Sequence, residues 1–517
     1  MGKGPSARGA SGGEAVVTMG ADHLATAELE GVIQRAMARH RVPGTAVGVL
    51  QAGRECVVAL GVTNVEHPLP VTPDTLFALG SITKTVTALA VMRLVELSDA
   101  AREVLRSRLR VPEDRHDRAR LELDVPVRTY LPELNLGNEQ ATAGTTLRHL
   151  LTHTTGWKSN GNSYRYGYGE DALARSVASW GEPRTNIPIQ HLAPPGAFYA
   201  YNSGGYNLVG RVLEVVTGNP CEVVLRELVL RPLGIERSFY LPWEVLTHRF
   251  AVGHAVRDGE PRVYREPEER QWGWVCGRIA NAAGGLVSSV TDMLRYLRFW
   301  LGDGTADDGA RLLSAETMAL MRTPLVPRSG TGDAVGLAWQ HPDMGGARVL
   351  QFSGSVTVQR AEVVLVPERE FAAVILTNAT TGEPLRPEVS AWLLGRCLGI
   401  VRPKREPVLR PAGELAAFAG RYAGFYRLPD LEITPDGGGL LLKATPSAET
   451  PRPLASIHPT GESRLEFITP DDVVVVEGAG TGRVGSFIRR PDGTVGWFQW
   501  PVGSDTYVRE EQPASGI

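Results

Sequence analysis

Ser81 and Lys84 are the residues of this sequence best suited to do chemistry. Three positions apart, they share one face if both lie in the first turn of a helix, with their side-chain heads within reach of each other. A serine hydroxyl must lose a proton as it attacks a carbonyl, and at neutral pH that proton is hard to remove. A lysine stripped of water beside it can serve as the neutral amine that accepts it. Gly80 gives the preceding turn backbone freedom, and the helix start offers N–H groups to developing negative charge. The spacing alone is weak, because a Ser and a Lys three apart occur by chance in most long chains. Its setting strengthens it. The sequence holds five lysines (Lys3, Lys84, Lys158, Lys404 and Lys443) among 54 Lys and Arg, and one of them stands at the head of an apolar helix. The structural alternative makes Ser81 a plain N-cap and lets Lys84 snorkel outward.

The helix that must carry this pair, SITKTVTALAVMRLVEL, is apolar on nearly every side and is expected to be buried from all directions. Ahead of it, apolar residues at helical spacing from Leu24 to Arg41 predict an amphipathic helix, and TAVGVLQAGRECVVALGV predicts a β-hairpin. Ser98 to Arg120, rich in both charge signs, reads as a solvated insertion with a weak short helix at best. Short helices and long loops follow to Ala283. There Trp157, Tyr164, Tyr166 and Tyr168 sit among Gly, Ser and Asn, either lining a cleft or pinning a loop to the body. Val290 to Leu301 reads as a helix. ARVLQF and AEVVLVPEREFAAVILTN read as antiparallel strands around a turn at Pro367 to Glu370, and 383–399 as a closing helix. A Pro and Arg rich connector, VRPKREPVLRP, precedes about a hundred residues of short β-runs separated by Gly, Pro and Asp turns, the pattern of a small β-barrel.

PDTLFALGSITKTVTALAVMRLVE resembles the nucleophile segment of the serine β-lactamase, penicillin-binding-protein and class C-like esterase superfamily. LRHLLTHTTGW (147–157), PGAFYAYNSGGYNLVG (195–210) and NAAGGLVSSVTDM (281–293) are similar, in order, to three further segments of that family. The resemblance covers roughly residues 24 to 400. It implies a β-lactamase/transpeptidase-like α/β sandwich with a helical lobe, and the last segment resembles the lipocalin-like barrel that follows it in several members. The expected boundaries are a flexible tail at 1–22, the hydrolase domain at 23–400, a linker at 401–412 and the barrel at 413–517.

By the same resemblance Ser81 is the acyl-enzyme serine, with Lys84 as base and Tyr201 as proton shuttle. Tyr199 takes that place only if the register slips by two. The N–H groups of Ser81 and Ser355 form the oxyanion hole. Ser203, Phe352, Ser353, Gly354 and Trp157 contact substrate, Gly354 by letting it approach the strand edge. Two departures stand out: Ser203 replaces the family's usual Asn and lacks its paired donor and acceptor, and Phe352 replaces a Lys or His. The missing cation suits acyl esters better than substrates bearing a carboxylate. His153 reads as a structural, hydrogen-bonded histidine, since no GxSxG elbow accompanies it.

A formal charge of -3 on 517 residues leaves no broad electrostatic footprint for nucleic acid or a membrane surface, so a small-molecule acyl substrate (ester, thioester or amide) is the expected partner. No stretch approaches 18 uninterrupted apolar residues, and the N-terminus lacks an export h-region, so a cytoplasmic location is expected. Cys56, Cys221, Cys276 and Cys397 lie far apart without metal-ligand spacing and read as free thiols; no metal and no cofactor is expected. The functional expectation is a serine hydrolase of an ester or small amide. A biosynthetic acyltransferase or thioesterase of the same chemistry is the second reading, and a catalytically silent binding member the third.

Overall fold

The computed structural model describes residues 16–18, 26–113, 116, 119–159, 167, 169–181, 189–265, 277–425, 428–445, 461–500 and 505–511. The chain divides into two compact units. One combines Met1–Val86, Leu225–Ser314 and Gln351–Val401; the other combines Thr87–Val224, Ala315–Leu350 and Arg402–Ile517.

The first unit is built on a sheet. Within the stretch read as a tail, β1 (Val16–Thr18) pairs with the hairpin that the sequence predicts, β2 (Gly44–Gln51) and β3 (Arg54–Gly61). β2 in turn pairs antiparallel with β6 (Phe371–Thr377), and β6 with β5 (Gln359–Val366), whose other neighbour is β4 (Leu350–Val356). All seven residues of β6 are buried, so the sheet is covered on both faces. The helices doing so are α1 (Thr26–His40), α3 (Val290–Leu301) and α4 (Gly382–Leu398). Gly48 marks the closest approach: a Cβ there would meet Val290 Cγ2 at 2.7 Å, so α3 rests directly on the backbone of β2. α2 (Thr83–Glu96) is buried as its composition requires, from Thr83 through Met92 and Leu94.

The second unit holds the helical lobe and the barrel. Here one expectation fails. Asp99–Ser107 is a proper helix rather than a solvated stretch, because Ala101, Val104 and Leu105 fall on one face and are buried, while the charges that mark the segment as exposed occupy the other. Ser98 caps it by accepting from the Ala101 N–H. The C-terminal strands form the expected closed all-β barrel, eight strands among the described residues, sealed where Gly420–Ala423 pairs with Asp505–Arg509. Its interior is apolar and aromatic, with the rings of Phe467, Phe498 and Tyr422 each in contact with that of Phe487.

The connector is fastened rather than loose. Arg402 Nη2 donates to both carboxylate oxygens of Asp333 at 2.9 and 2.8 Å, and Arg405 Nη2 to Asp343 Oδ2 at 2.5 Å and to the carbonyl of Thr331. Cys56 and Cys221 are buried free thiols and Cys397 a half-buried one; Cys276 lies outside the described residues. No helix among the described residues is long and apolar enough to cross a membrane, and none of their carboxylate, thiol and imidazole groups cluster as a metal site.

His341, on a short strand of the second unit, is buried with both ring nitrogens lacking a hydrogen-bond partner. Burial, helped by the charge of Arg348, pushes its imidazole down to about 4. Between its ordinary value of 6.5 and that point the unfolded chain binds a proton that the folded chain refuses. Stability therefore falls as pH drops through this window, by roughly 2–3 kcal/mol from this residue. His341→Leu is expected to flatten that part of the profile, read as the difference in urea midpoint between pH 7.5 and 4.5 against the parent chain; equal slopes would refute the assignment.

Candidate active site

The first unit builds the Ser81 end from a strand, a turn and a helix. Phe77–Ala78 pairs with Val287–Ser288, the Leu79 N–H donates to Leu286 O at 2.9 Å, and the Ala78 N–H to Gln359 Oε1 at 3.0 Å. The chain then tightens into a 3-10 turn, Gly80–Ile82, before α2 begins. Ser81 thus precedes the α-helix by one turn. Lys84, in its first turn, is 0% exposed. Its Nζ donates to Ser81 Oγ at 3.1 Å and to the carbonyl of Ala283 at 2.7 Å. The outward-snorkelling alternative is excluded by that burial. Thr83 Oγ1 ties the turn together, donating to Gly80 O at 2.7 Å and accepting from the Leu286 N–H at 3.1 Å.

Two glycines bring β4 against this turn. Gly80 has φ +56°, and a Cβ on it would sit 2.6 Å from the Ser355 nitrogen. A Cβ on Gly354 would lie 1.8 Å from Leu79 O and 3.1 Å from the Ser81 nitrogen. Gly354 is therefore required by the approach of two backbones, a different reason from the substrate access expected of it. The amides of Ser81 and Ser355 become neighbours as a result. Behind the strand, buried Arg386 donates from Nη1 to Gly354 O at 3.2 Å and to Ala361 O at 2.6 Å. Ser355 is exposed and Ser353 half-buried, but Phe352 is only 1% exposed, so its ring offers a ligand almost no surface.

In the second unit, His153 and Asn202 hold the tyrosine segment. His153 has φ +56° and is buried; its carbonyl accepts from the Ala200 N–H at 2.8 Å and its Nδ1 from the Asn202 N–H at 3.0 Å. Both flanks of Tyr201 are thus pinned to one residue, and the two rings lie 4.5 Å apart. Asn202 caps the helix Ser203–Thr217, accepting from the Gly205 N–H at 3.1 Å, while its Nδ2 donates to Trp157 O at 2.8 Å. Tyr201 and Ser203 are half-buried. Tyr199 is buried, and burial pushes its phenol up to about 12 against the opposing charge of Arg328, which leaves Tyr201 the tyrosine with access to solvent. Trp157, expected to contact substrate, is fully buried, its indole N–H donating to Thr145 Oγ1 at 3.0 Å, so it pins its segment to the body and leaves its ring no exposed surface. Tyr164, Tyr166 and Tyr168 lie outside the described residues.

The barrel reaches this same segment, which nothing in the sequence signals. Gln499 Nε2 donates to Tyr199 O at 2.6 Å, the Phe198 and Trp497 rings lie 4.9 Å apart, and Lys158 pairs with Asp505 at 3.1 Å. In the first unit, the roles of Gln359, Arg386 and the Ala283 carbonyl are equally silent in sequence.

The interlocked glycines make a sharp test. Gly354→Ala is expected to cost about 1–3 kcal/mol of stability and to slow modification of Ser81 by a fluorophosphonate, whereas Gly413→Ala, with nothing within 4 Å of the new carbon, leaves both unchanged. Identical thermal midpoints and labelling rates for the two variants would contradict the packing described.

The model of the β-lactamase family matches residues 29–396. Penicillin-binding protein 4 of Amycolatopsis lactamdurans is 30% identical over 392 residues, covering 74% of this chain and 93% of that protein. Esterase EstB of Burkholderia gladioli is 32% identical over 251 residues, 46% of this chain and 56% of the esterase. Among solved structures, that of SurE with D-Leu superposes with a TM-score of 0.68 at 26% identity, covering 94% of this chain and 99% of SurE. With the family match spanning most of its length, the chain belongs to the β-lactamase family of serine hydrolases.

Proposed function

We propose that this protein hydrolyses an ester or small amide through an acyl-enzyme on Ser81. The observation that carries the reading is the fully buried Lys84, whose Nζ lies 3.1 Å from the Ser81 hydroxyl and is held there by the carbonyl of Ala283. A lysine with no role in chemistry has little reason to be stripped of water at the start of an apolar helix.

In the proposed sequence, the Ser81 proton passes to the Lys84 and Tyr201 pair as Oγ bonds to the substrate carbonyl carbon. The N–H groups of Ser81 and Ser355 hold the oxyanion, an arrangement supported by the contact between Gly80 and Gly354 and their neighbours. The ester or amide bond then breaks, and Tyr201 returns the proton to the leaving oxygen or nitrogen. Water attacks the acyl-enzyme, releases the acid and restores the Ser81 hydroxyl. The relatives named esterase and penicillin-binding protein support acyl chemistry of this class.

A fluorophosphonate is expected to add a single adduct that maps to Ser81, with none on Ser81→Ala. Lys84→Met is expected to slow labelling and short-chain ester hydrolysis by about 10²–10⁴-fold with the fold retained by circular dichroism. An adduct elsewhere, or ester hydrolysis that survives Ser81→Ala, overturns the reading. Amine acceptors added to the ester assay show whether the acyl group goes to water or, as a biosynthetic transferase would send it, to the amine.

A further inference from the structure

The peptide that presents the Ser355 N–H is gripped at its other end. A peptide bond is planar and trans, so the Gly354 carbonyl points away from the Ser355 N–H within one rigid plane. That carbonyl accepts from Arg386 Nη1 at 3.2 Å, and the same nitrogen donates to Ala361 O of β5 at 2.6 Å. One guanidinium nitrogen thus bridges β4 and β5 where β4 meets the Ser81 turn. The second amide of the pair is arranged alike. The Ser81 N–H belongs to a peptide whose carbonyl, Gly80 O, accepts from Thr83 Oγ1 at 2.7 Å. Each amide is held from behind, one by a neutral hydroxyl and one by a cation.

Packing alone gives little reason for an arginine at this position. α4 turns Leu385, Val389 and Leu393 inward, and Arg386 shares that buried side with 3% exposure. Gly382 lets the helix start so close to the sheet, since a Cβ there would lie 1.9 Å from Thr377 Oγ1 at the end of β6. A buried guanidinium is costly unless its donors are met. Glu383 pairs with it at 2.7 Å, but that carboxylate is half exposed and shared with Arg360 at 2.9 Å. Glu362, which feels the charge of Arg386, is buried, and burial raises its carboxyl. One carboxylate therefore serves two guanidinium groups, and part of the charge of Arg386 falls on the carbonyls it bonds. A cation at a carbonyl oxygen draws electron density along the amide and makes the N–H at the far end a stronger donor. A peptide plane fixed beforehand also needs no reorientation when an oxyanion forms.

We infer that Arg386 is a positioning residue of the oxyanion hole, which through Gly354 O both fixes and polarises the N–H of Ser355. The inference deepens the proposed acyl-enzyme reading, which supplies the oxyanion, and one of its two tests needs no turnover.

The first test is nuclear magnetic resonance on protein labelled with carbonyl-13C glycine and 15N serine, which picks out Gly–Ser peptides, among them Gly80–Ser81, Gly354–Ser355 and, in the barrel, Gly485–Ser486. Arg386→Met is expected to move the Gly354 carbonyl carbon and the Ser355 nitrogen upfield and to leave the Gly485–Ser486 signals in place. The second is kcat/KM for p-nitrophenyl butyrate, expected to fall about 3- to 30-fold in Arg386→Met. Arg386→Lys, which keeps the charge without the planar fork, is expected to change less in the same direction in both tests, and it decides the matter if Arg386→Met does not fold. Gly48→Ala, which crowds Val290 in the same unit, lowers the thermal midpoint and leaves both readouts as in the parent, separating this role from general destabilisation. Gly354–Ser355 signals that stay put in every folded Arg386 variant overturn the inference, as does a kcat/KM within twofold of the parent in all of them. A parent chain that hydrolyses no ester counts against the acyl-enzyme reading alone, because the resonances still decide whether Arg386 polarises this amide.

Discussion

A primary amine held out of water against a serine hydroxyl is the constraint around which the first unit is arranged. Lys84 has no exposed surface, and burying an amine without partners costs several kcal/mol. The local structure supplies those partners. The 3-10 turn sets Ser81 Oγ at one acceptor position, and the short helix Asn281–Gly284 sets the Ala283 carbonyl at another. The surrounding threonines carry no charge into the core: Thr83 bonds back to Gly80 O and Thr85 to Ile82 O, with Tyr296 closing the chain by donating to Thr85 Oγ1. Every hydroxyl at the buried head of α2 is thereby spoken for by a near neighbour. The serine is the one member of the set that retains access to solvent.

The second unit solves a different problem, that of presenting a tyrosine on an irregular segment without letting it drift. Loops move because few buried contacts hold them. Here the backbone on either side of Tyr201 is tied to one buried histidine, the next residue caps a long helix, and the segment's upstream carbonyl is held by a barrel glutamine. The barrel is thus part of the scaffold of the tyrosine segment.

Much of this was legible in advance, and the gaps have physical causes. Local patterns report local structure, so the hairpin β2–β3, the all-round apolar α2 and the alternating strands of the barrel follow from periodicity. The Ser81–Lys84 contact needs only a helical turn and was readable for that reason. Asp99–Ser107 hides its helix in the sequence because its charge density outweighs three apolar residues at i, i+3 and i+4. Position in a motif does not say which way a ring faces, and Trp157 and Phe352 are both buried. Asp292 is buried, accepting from Ser238 Oγ and the Arg237 N–H while burial raises its carboxyl, and no local pattern marks it as a core acid. Contacts between residues hundreds of positions apart, such as Gln499 with Tyr199, leave no trace in a single sequence.

The two connector arginines change what counts as a module in this chain. A cut between hydrolase body and barrel, drawn where proline and arginine accumulate, would sever Arg402 and Arg405 from Asp333 and Asp343 and strand two carboxylates beside a hairpin shaped around them. The packed block is consequently discontinuous in sequence: barrel, connector and the 326–343 hairpin hold one another. A foreign barrel joined through a connector of its own would need to import matching guanidinium groups, or the recipient hairpin would have to be rewritten along with it.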